Sequence, residues 1–161
     1  LGLATFVSTA TESVAGTFMS LLPAIIFAIG CGLAFASGTS WGTFGILIPI
    51  VVEVFQGSDP QLMIISIAAC MAGAVCGDHC SPISDTTIMS SAGARCNHVA
   101  HVTTQLPYAI TVAAISFVTY IIAGFTRSAW ISLPAGLVIL IAVLVIIKKT
   151  QKPLKSEAAK A

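Results

Sequence analysis

The sequence predicts an all-α fold, a polytopic bundle of transmembrane helices. Three observations carry that expectation. Of 161 residues, 57% are hydrophobic and 8% charged, with a mean hydropathy of +1.00. Soluble domains carry about a quarter charged residues, so this is a membrane composition. Next, apolar runs long enough to cross a bilayer recur along the chain, the cleanest over 129–147. Finally, the apolar background is interrupted between Gly73 and Gly93 (GAVCGDHCSPISDTTIMSSAG), where Asp78, His79, Ser81, Ser84, Asp85, Thr86 and Thr87 fall close together. Ionisable groups at membrane depth are costly and usually face a protein interior or a water-filled path. This stretch therefore reads as a broken helix lining an ion site, with the rest of the chain as its support.

Composition also excludes classes. A net charge of +1 without a basic-aromatic pattern gives no reason to expect nucleic acid as a partner. The first residue is Leu1 and no charged segment precedes an apolar run, so no signal peptide is expected. The expectation is the C-terminal part of a longer protein. The five cysteines (31, 70, 76, 80 and 96) are odd in number and lack a framework spacing. They read as small apolar residues rather than disulfide partners.

Taken in order, residues 1–16 carry Thr, Ser, Gly and Glu12 and are too polar to span. They read as a loop or a short interfacial helix, with Glu12 solvated at the membrane edge. From Thr17 to Phe55 the only charge is Glu53. As one helix this stretch would run about 58 Å, against a hydrocarbon core of about 30 Å. It must break, and Ser37-Gly38-Thr39-Ser40-Trp41-Gly42-Thr43 is where. Gly38 suits a left-handed helix end, and Thr39 or Ser40 an N-cap. Helices over about 18–36 and 43–55 are expected to meet at a polar tip covered by protein or a water cavity.

Gln56-Gly57-Ser58-Asp59-Pro60 is a turn, with Asp59 as N-cap and Pro60 at the first helical position. A helix over 61–76 follows, apolar all round. Gly77 is expected to close it. Ser81-Pro82 is expected to open the next at about 82. A helix C-terminus carries partial negative charge and an N-terminus partial positive charge. Two such ends facing each other suit a cation and an anionic group, as in the discontinuous helices of secondary transporters. Asp78 and Asp85 offer carboxylate oxygens; Ser81, Ser84, Thr86 and Thr87 offer hydroxyls. Hard cations prefer oxygen ligands of this kind. A desolvated carboxylate holds its proton and a bound cation displaces it, so one aspartate can trade a proton for a sodium ion. A purely structural helix-capping role for either aspartate is the bland alternative. His79 reads equally as a proton relay with Asp78 or as a satisfied structural histidine. Cys76, His79 and Cys80 have ligand chemistry, but no second pair completes a zinc site, and no metal centre is expected.

Ala92 to His101, with Arg95, Asn97, His98 and His101, reads as a cytoplasmic loop. A helix over 102–125 carries Pro107 near its start as a kink or late entry, with Thr103, Thr104 and Gln105 turned to the bundle interior. Phe125 to Ser128 is a short turn. The helix over 129–147 has Trp130 at the interface. Lys148, Lys149, Lys152, Lys155 and Lys160 form a basic tail, which predicts a cytoplasmic C-terminus. Counting back sets Arg127 and the Asp59 turn outside and Arg95 inside. The expected organisation is one membrane domain over 1–147 and a basic tail over 148–161.

Three stretches then match a family. Phe35-Ala36-Ser37-Gly38-Thr39-Ser40-Trp41-Gly42-Thr43-Phe44-Gly45, Gly77-Asp78-His79-Cys80-Ser81-Pro82-Ile83-Ser84-Asp85-Thr86-Thr87 and Thr103-Thr104-Gln105-Leu106-Pro107-Tyr108 resemble the NhaC-type sodium/proton antiporters, a resemblance covering about residues 20–125. It implies one half of an inverted-repeat transporter, with a re-entrant hairpin tipped at Ser37–Thr43 and a broken helix at Gly77–Thr87. It also implies exchange of Na⁺ (or Li⁺) for H⁺ in a multi-pass inner-membrane protein, with a role in pH homeostasis. Asp78 and Asp85 would carry cation and proton, with Thr39, Ser40, Thr43, Ser84 and Thr86 among the neutral ligands and Asp78 and His79 as relay. No cofactor is implied beyond the transported ions. The partners implied are membrane lipid and the missing N-terminal half of the transporter; a homodimer is left open.

Two rival readings remain. Some relatives exchange organic acids such as malate and lactate, and the helix N-termini at 39–43 and 82 would then hold a carboxylate. No Arg or Lys lies near the motifs to help. An intramembrane enzyme built on Asp78 and Asp85, or on His79 and Cys80, is disfavoured by spacing. A catalytic dyad needs carboxylates brought together from separate helices, and adjacent helical side chains diverge.

Overall fold

The structure is a computed structural model that describes residues 2–55 and 59–150. The predicted turn residues Gln56, Gly57 and Ser58, the side chain of Glu12, and Lys152, Lys155 and Lys160 lie outside the described residues. Six helices follow in order among the described residues: α1 (Gly2–Ser37), α2 (Ser40–Phe55), α3 (Pro60–Cys80), α4 (Asp85–Gly93), α5 (His98–Thr126) and α6 (Ala129–Thr150). Four of them contain stretches long and apolar enough to cross a membrane: Phe18–Ser37, Pro60–Cys80, His98–Thr126 and Ala129–Thr150. The chain is an all-helical, multi-pass membrane protein.

The polar stretch, open between loop and short helix from its sequence, forms from Gly2 onward the first half of one long α1. That helix ends where glycine allows it. Gly38 has φ +70° and returns its N–H to the Ala34 carbonyl at 2.8 Å, a left-handed C-terminus. α2 starts at Ser40, earlier than the expected 43, and folds back on α1. Val51 and Phe55 at its far end bury with Leu62 against Met19, Leu22 and Ile26. At about 24 Å, α2 is shorter than the hydrocarbon core. Asp59 then caps α3, its Oδ1 accepting from the N–H groups of Gln61 and Leu62 at 3.1 Å each, with Pro60 opening the helix as its sequence predicts.

Gly77 does not close the next helix. α3 continues through it to Cys80, because Gly77 serves packing rather than termination. α1 and α3 run parallel at close range. A methyl group on Gly73 would lie 2.2 Å from the Phe27 carbonyl oxygen, and one on Gly77 2.2 Å from that of Cys31. One turn further, Ser81 Oγ donates to the Phe35 carbonyl at 2.8 Å. Gly73, Gly77 and Ser81 thus form one stripe of small residues, the geometry of small-xxx-small helix pairs in membranes. Ser81-Pro82 does not open the following helix either. Ser81 caps the end of α3, its N–H bonded to the Asp78 carbonyl at 3.1 Å. Pro82 and Ile83 make the turn, and α4 begins at Asp85.

The expected loop 92–101 shrinks to Ala94–Asn97, since Asn97 caps α5 by accepting from the Ala100 N–H at 3.0 Å. α5 is continuous through Pro107 and antiparallel to α3: the Gln105 amide donates to the His79 carbonyl, and Tyr120 Oη to that of Ala68 at 3.2 Å. Arg127, at φ +51°, ends α5 and pairs with Asp59 at 2.9 Å. The start of α3 and the end of α5 therefore share one end of the bundle, as the topological count requires. α6 packs against α5 alone among the described helices, with Gly136 against Thr119, and carries Lys148 and Lys149 in its last turn. Cys70 and Cys80 are buried as expected, Cys31 and Cys76 half-buried, and Cys96 exposed.

Candidate functional site

Two interruptions meet at one end of the bundle. A Cβ on Gly38 would lie 3.0 Å from both the carbonyl oxygen and Cγ1 of Ile83. So the α1–α2 tip rests directly on the α3–α4 turn. Asp78, in the last turn of α3, is buried there at 7% exposure. Its Oδ2 accepts from Ser40 Oγ at 3.0 Å, the first residue of α2. Its Oδ1 accepts from Ser84 Oγ at 2.5 Å, the residue before α4. Ser84 stands at an N-cap position, yet its hydroxyl makes no cap and is given to Asp78. The partial positive charges at the starts of α2 and α4 face this carboxylate and favour it. A buried charge without such partners would be far costlier.

Ser84 Oγ also meets Thr86 Oγ1 at 2.7 Å, and Thr86 is exposed. A hydroxyl donates one hydrogen and accepts others. The row Asp78–Ser84–Thr86 is therefore satisfied in two senses. With Asp78 ionised, Thr86 donates to Ser84 and Ser84 to Asp78. With Asp78 protonated, Asp78 donates to Ser84 and Ser84 to Thr86.

Of the residues singled out in the sequence, Ser40, Ser84 and Thr86 gather on Asp78. Four others shape the surrounding backbone. Ser81, fully buried, ties the α3–α4 turn to α1 and accepts from the Ile83 N–H at 3.4 Å. Thr87 Oγ1 donates to the His79 carbonyl at 3.3 Å. Thr43 Oγ1 donates to the Thr39 carbonyl at 2.9 Å, and Thr39 Oγ1 accepts from the Gly42 N–H at 3.4 Å. Asp85 and His79 are not brought to the cluster. Asp85 is exposed, its Oδ1 taken by the Thr86 N–H at 2.8 Å. His79 is exposed and lines a separate groove between α3 and α5 with Gln105 and Tyr108. Thr103 and Thr104, expected to face the interior, are exposed and bond to carbonyls of their own helix. One residue that the sequence placed in a loop takes part: His98, at the start of α5, bonds to the Pro82 carbonyl within the α3–α4 turn at 2.7 Å.

The profile of the Na⁺/H⁺ antiporter family matches residues 1–125, a stretch that holds both interruptions. The chain belongs to that family. Among similar proteins, an uncharacterized protein of Haemophilus influenzae is 53% identical over 131 residues, 81% of this chain and 25% of that protein. The malate-2H⁺/Na⁺-lactate antiporter of Bacillus subtilis is 31% identical over 58% of this chain and 20% of its own length. An uncharacterized Na⁺/H⁺ antiporter of Haemophilus influenzae is 38% identical over 55% of this chain and 19% of its own. This antiporter-family chain thus spans about a quarter or less of those relatives. No solved structure matches it.

Proposed function

We propose that these helices belong to a secondary active transporter, not an enzyme, which exchanges Na⁺ or Li⁺ for H⁺ across the cell membrane. The observation that carries the reading is the buried Asp78 carboxylate held between hydroxyls from two helix interruptions. Na⁺ is a hard cation that takes oxygen ligands, and Ser40, Ser84 and Thr86 supply them beside the charge. An ionised aspartate in a buried site is costly unless something neutralises it. A proton does so, and so does a sodium ion. Each excludes the other, which couples the two fluxes. The Ser84–Thr86 row leads from Asp78 to an exposed hydroxyl and serves as the path for the proton. Asp85, at the exposed start of α4, draws cations to that mouth, and His79 serves the groove side. The remaining helices of the transporter complete the site, and the basic end of α6 lies in the cytoplasm.

A second reading keeps the fold and changes the cargo. The relative named as a malate-2H⁺/Na⁺-lactate antiporter favours Na⁺-coupled organic-acid exchange. The assay that separates the two uses the full-length protein in inside-out vesicles with a pH-sensitive dye. NaCl, LiCl, KCl, malate and lactate are added in turn. Collapse of the gradient by Na⁺ or Li⁺ alone, lost in Asp78→Asn at equal membrane abundance, supports cation/proton antiport. A response only to an organic acid with Na⁺ moves the cargo to the second reading. Normal Na⁺ response in Asp78→Asn overturns the role of Asp78.

A further inference from the structure

His98 stands apart from the Asp78 cluster but holds the turn that shapes it. Its Nε2 lies 2.7 Å from the Pro82 carbonyl, and its Nδ1 lies 3.0 Å from Ser91 Oγ. Ser91 Oγ, buried, also lies 2.9 Å from the Ile88 carbonyl. Both carbonyls can only accept, and the serine has a single hydrogen. If Ser91 gives that hydrogen to Ile88, Nδ1 must donate to Ser91. Nε2 must donate to Pro82 in any case. All three contacts are hydrogen bonds only when both ring nitrogens carry hydrogen. The neutral ring with hydrogen on Nε2 keeps two of the three. The other neutral tautomer turns a lone pair on the Pro82 oxygen.

We propose that His98 is a positioning residue for the ion site, and that its imidazolium form fastens the Pro82–Ile83 turn to α5. The turn lies between Ser81, which anchors the break to α1, and Ser84, which holds Asp78. A charged donor makes a hydrogen bond about twice as strong as a neutral one, so the fastening weakens as the ring loses its proton. Protons have access, since His98 is half-buried on a cleft of about 570 Å³ shared with Ile83, Ile88 and Cys96. The other charged or titratable groups around it are few. α3 brings Asp78, engaged by Ser40 and Ser84, His79, and the thiols of Cys76 and Cys80. α4 brings Asp85, engaged by its own helix. The connection brings Arg95 and Cys96, and α5 itself His101. α1 brings Cys31, next to Gly77. Lys148 and Lys149 of α6 fall opposite residues near Pro107, by the antiparallel register that sets Gly136 on Thr119. No carboxylate is paired with His98 among the described residues.

This inference deepens the antiport reading, so its test needs a readout that does not depend on transport. The amide hydrogens of residues 81–86 are followed by hydrogen exchange in the full-length purified protein, corrected for the intrinsic pH dependence of exchange. Protection in the wild type should fall about fivefold from about pH 6 to about pH 8, the change expected for roughly one net hydrogen bond. In His98→Gln, which can still donate to Pro82 but carries no titrating charge, protection should be low and independent of pH. In the vesicle assay, the ratio of apparent KM for Na⁺ between His98→Gln and wild type should be about fivefold near pH 6 and approach one near pH 8. That ratio cancels proton competition at Asp78. Wild-type protection that does not change with pH, or a variant that follows the wild type, overturns the proposal. Absence of Na⁺ flux in the wild type overturns the antiport reading and leaves the exchange result to decide the role of His98.

Discussion

At the residue scale, Asp78 and Asp85 separate two aspartates that a linear motif presents as equals. Asp78 is buried and bonded to hydroxyls from two other segments; Asp85 is exposed and bonded to its own helix. Ser84→Ala removes a hydroxyl from a buried carboxylate and should destabilise the protein by about 1–3 kcal/mol. It should also raise the apparent KM for Na⁺. Asp85→Asn should change stability by less than about 0.5 kcal/mol, as surface substitutions do. Thermal unfolding of the two variants in one detergent checks the contrast. Equal losses would mean that the Ser84 hydroxyl does not serve a buried carboxylate. Chemistry by residue type pointed to both aspartates, because carboxylate oxygens suit sodium wherever they sit. Burial is a property of the neighbours, which lie 38 residues away at Ser40.

At the element scale, the decisive contact is the α1–α3 stripe. Gly77→Ala would place a methyl 2.2 Å from the Cys31 carbonyl oxygen. Overpacking of this kind costs about 1–3 kcal/mol. Gly45→Ala, on α2 with nothing within 4 Å, is the control and should not destabilise, since alanine is the better helix former. Because Asp78 follows Gly77 directly, the first variant should also displace the carboxylate from Ser40, read as lost Na⁺ affinity at normal abundance. The local sequence is ambiguous here. Gly77 lies where a helix-ending glycine would serve, but Gly73-Ala74-Val75-Cys76-Gly77 is also a GxxxG pattern. The two readings differ only in whether another helix lies against the glycines. The 27–73 and 31–77 proximities supply that helix, and α3 runs on.

For the whole molecule, the arrangement sorts the turns between two ends. Asp59 and Arg127 meet at one end; the Gly38 tip, the Ser81–Ser84 turn and Cys96 lie toward the other. The exposed thiol of Cys96 tests which end faces the cytoplasm. In the full-length protein with its other cysteines replaced, an impermeant maleimide should label Cys96 in inside-out vesicles and not in right-side-out ones. The reverse pattern would invert the topology. The Asp59–Arg127 pair, with side chains 21% and 53% exposed, should contribute less than about 1 kcal/mol. Arg127→Ala is therefore expected to melt within a few degrees of the wild type.

Composition and local pattern alone determined that this chain is helical and membrane-spanning, where its breaks fall at Gly38, and that Asp59 and Pro60 start a helix. Those features depend on solvent transfer and on dihedral preferences that a residue carries wherever it sits. Tertiary structure decided where α3 ends, that Ser84 serves Asp78 rather than its own helix, and that His98 grips the turn. Each of these depends on which distant backbone lies within a few ångströms, and no local preference encodes that.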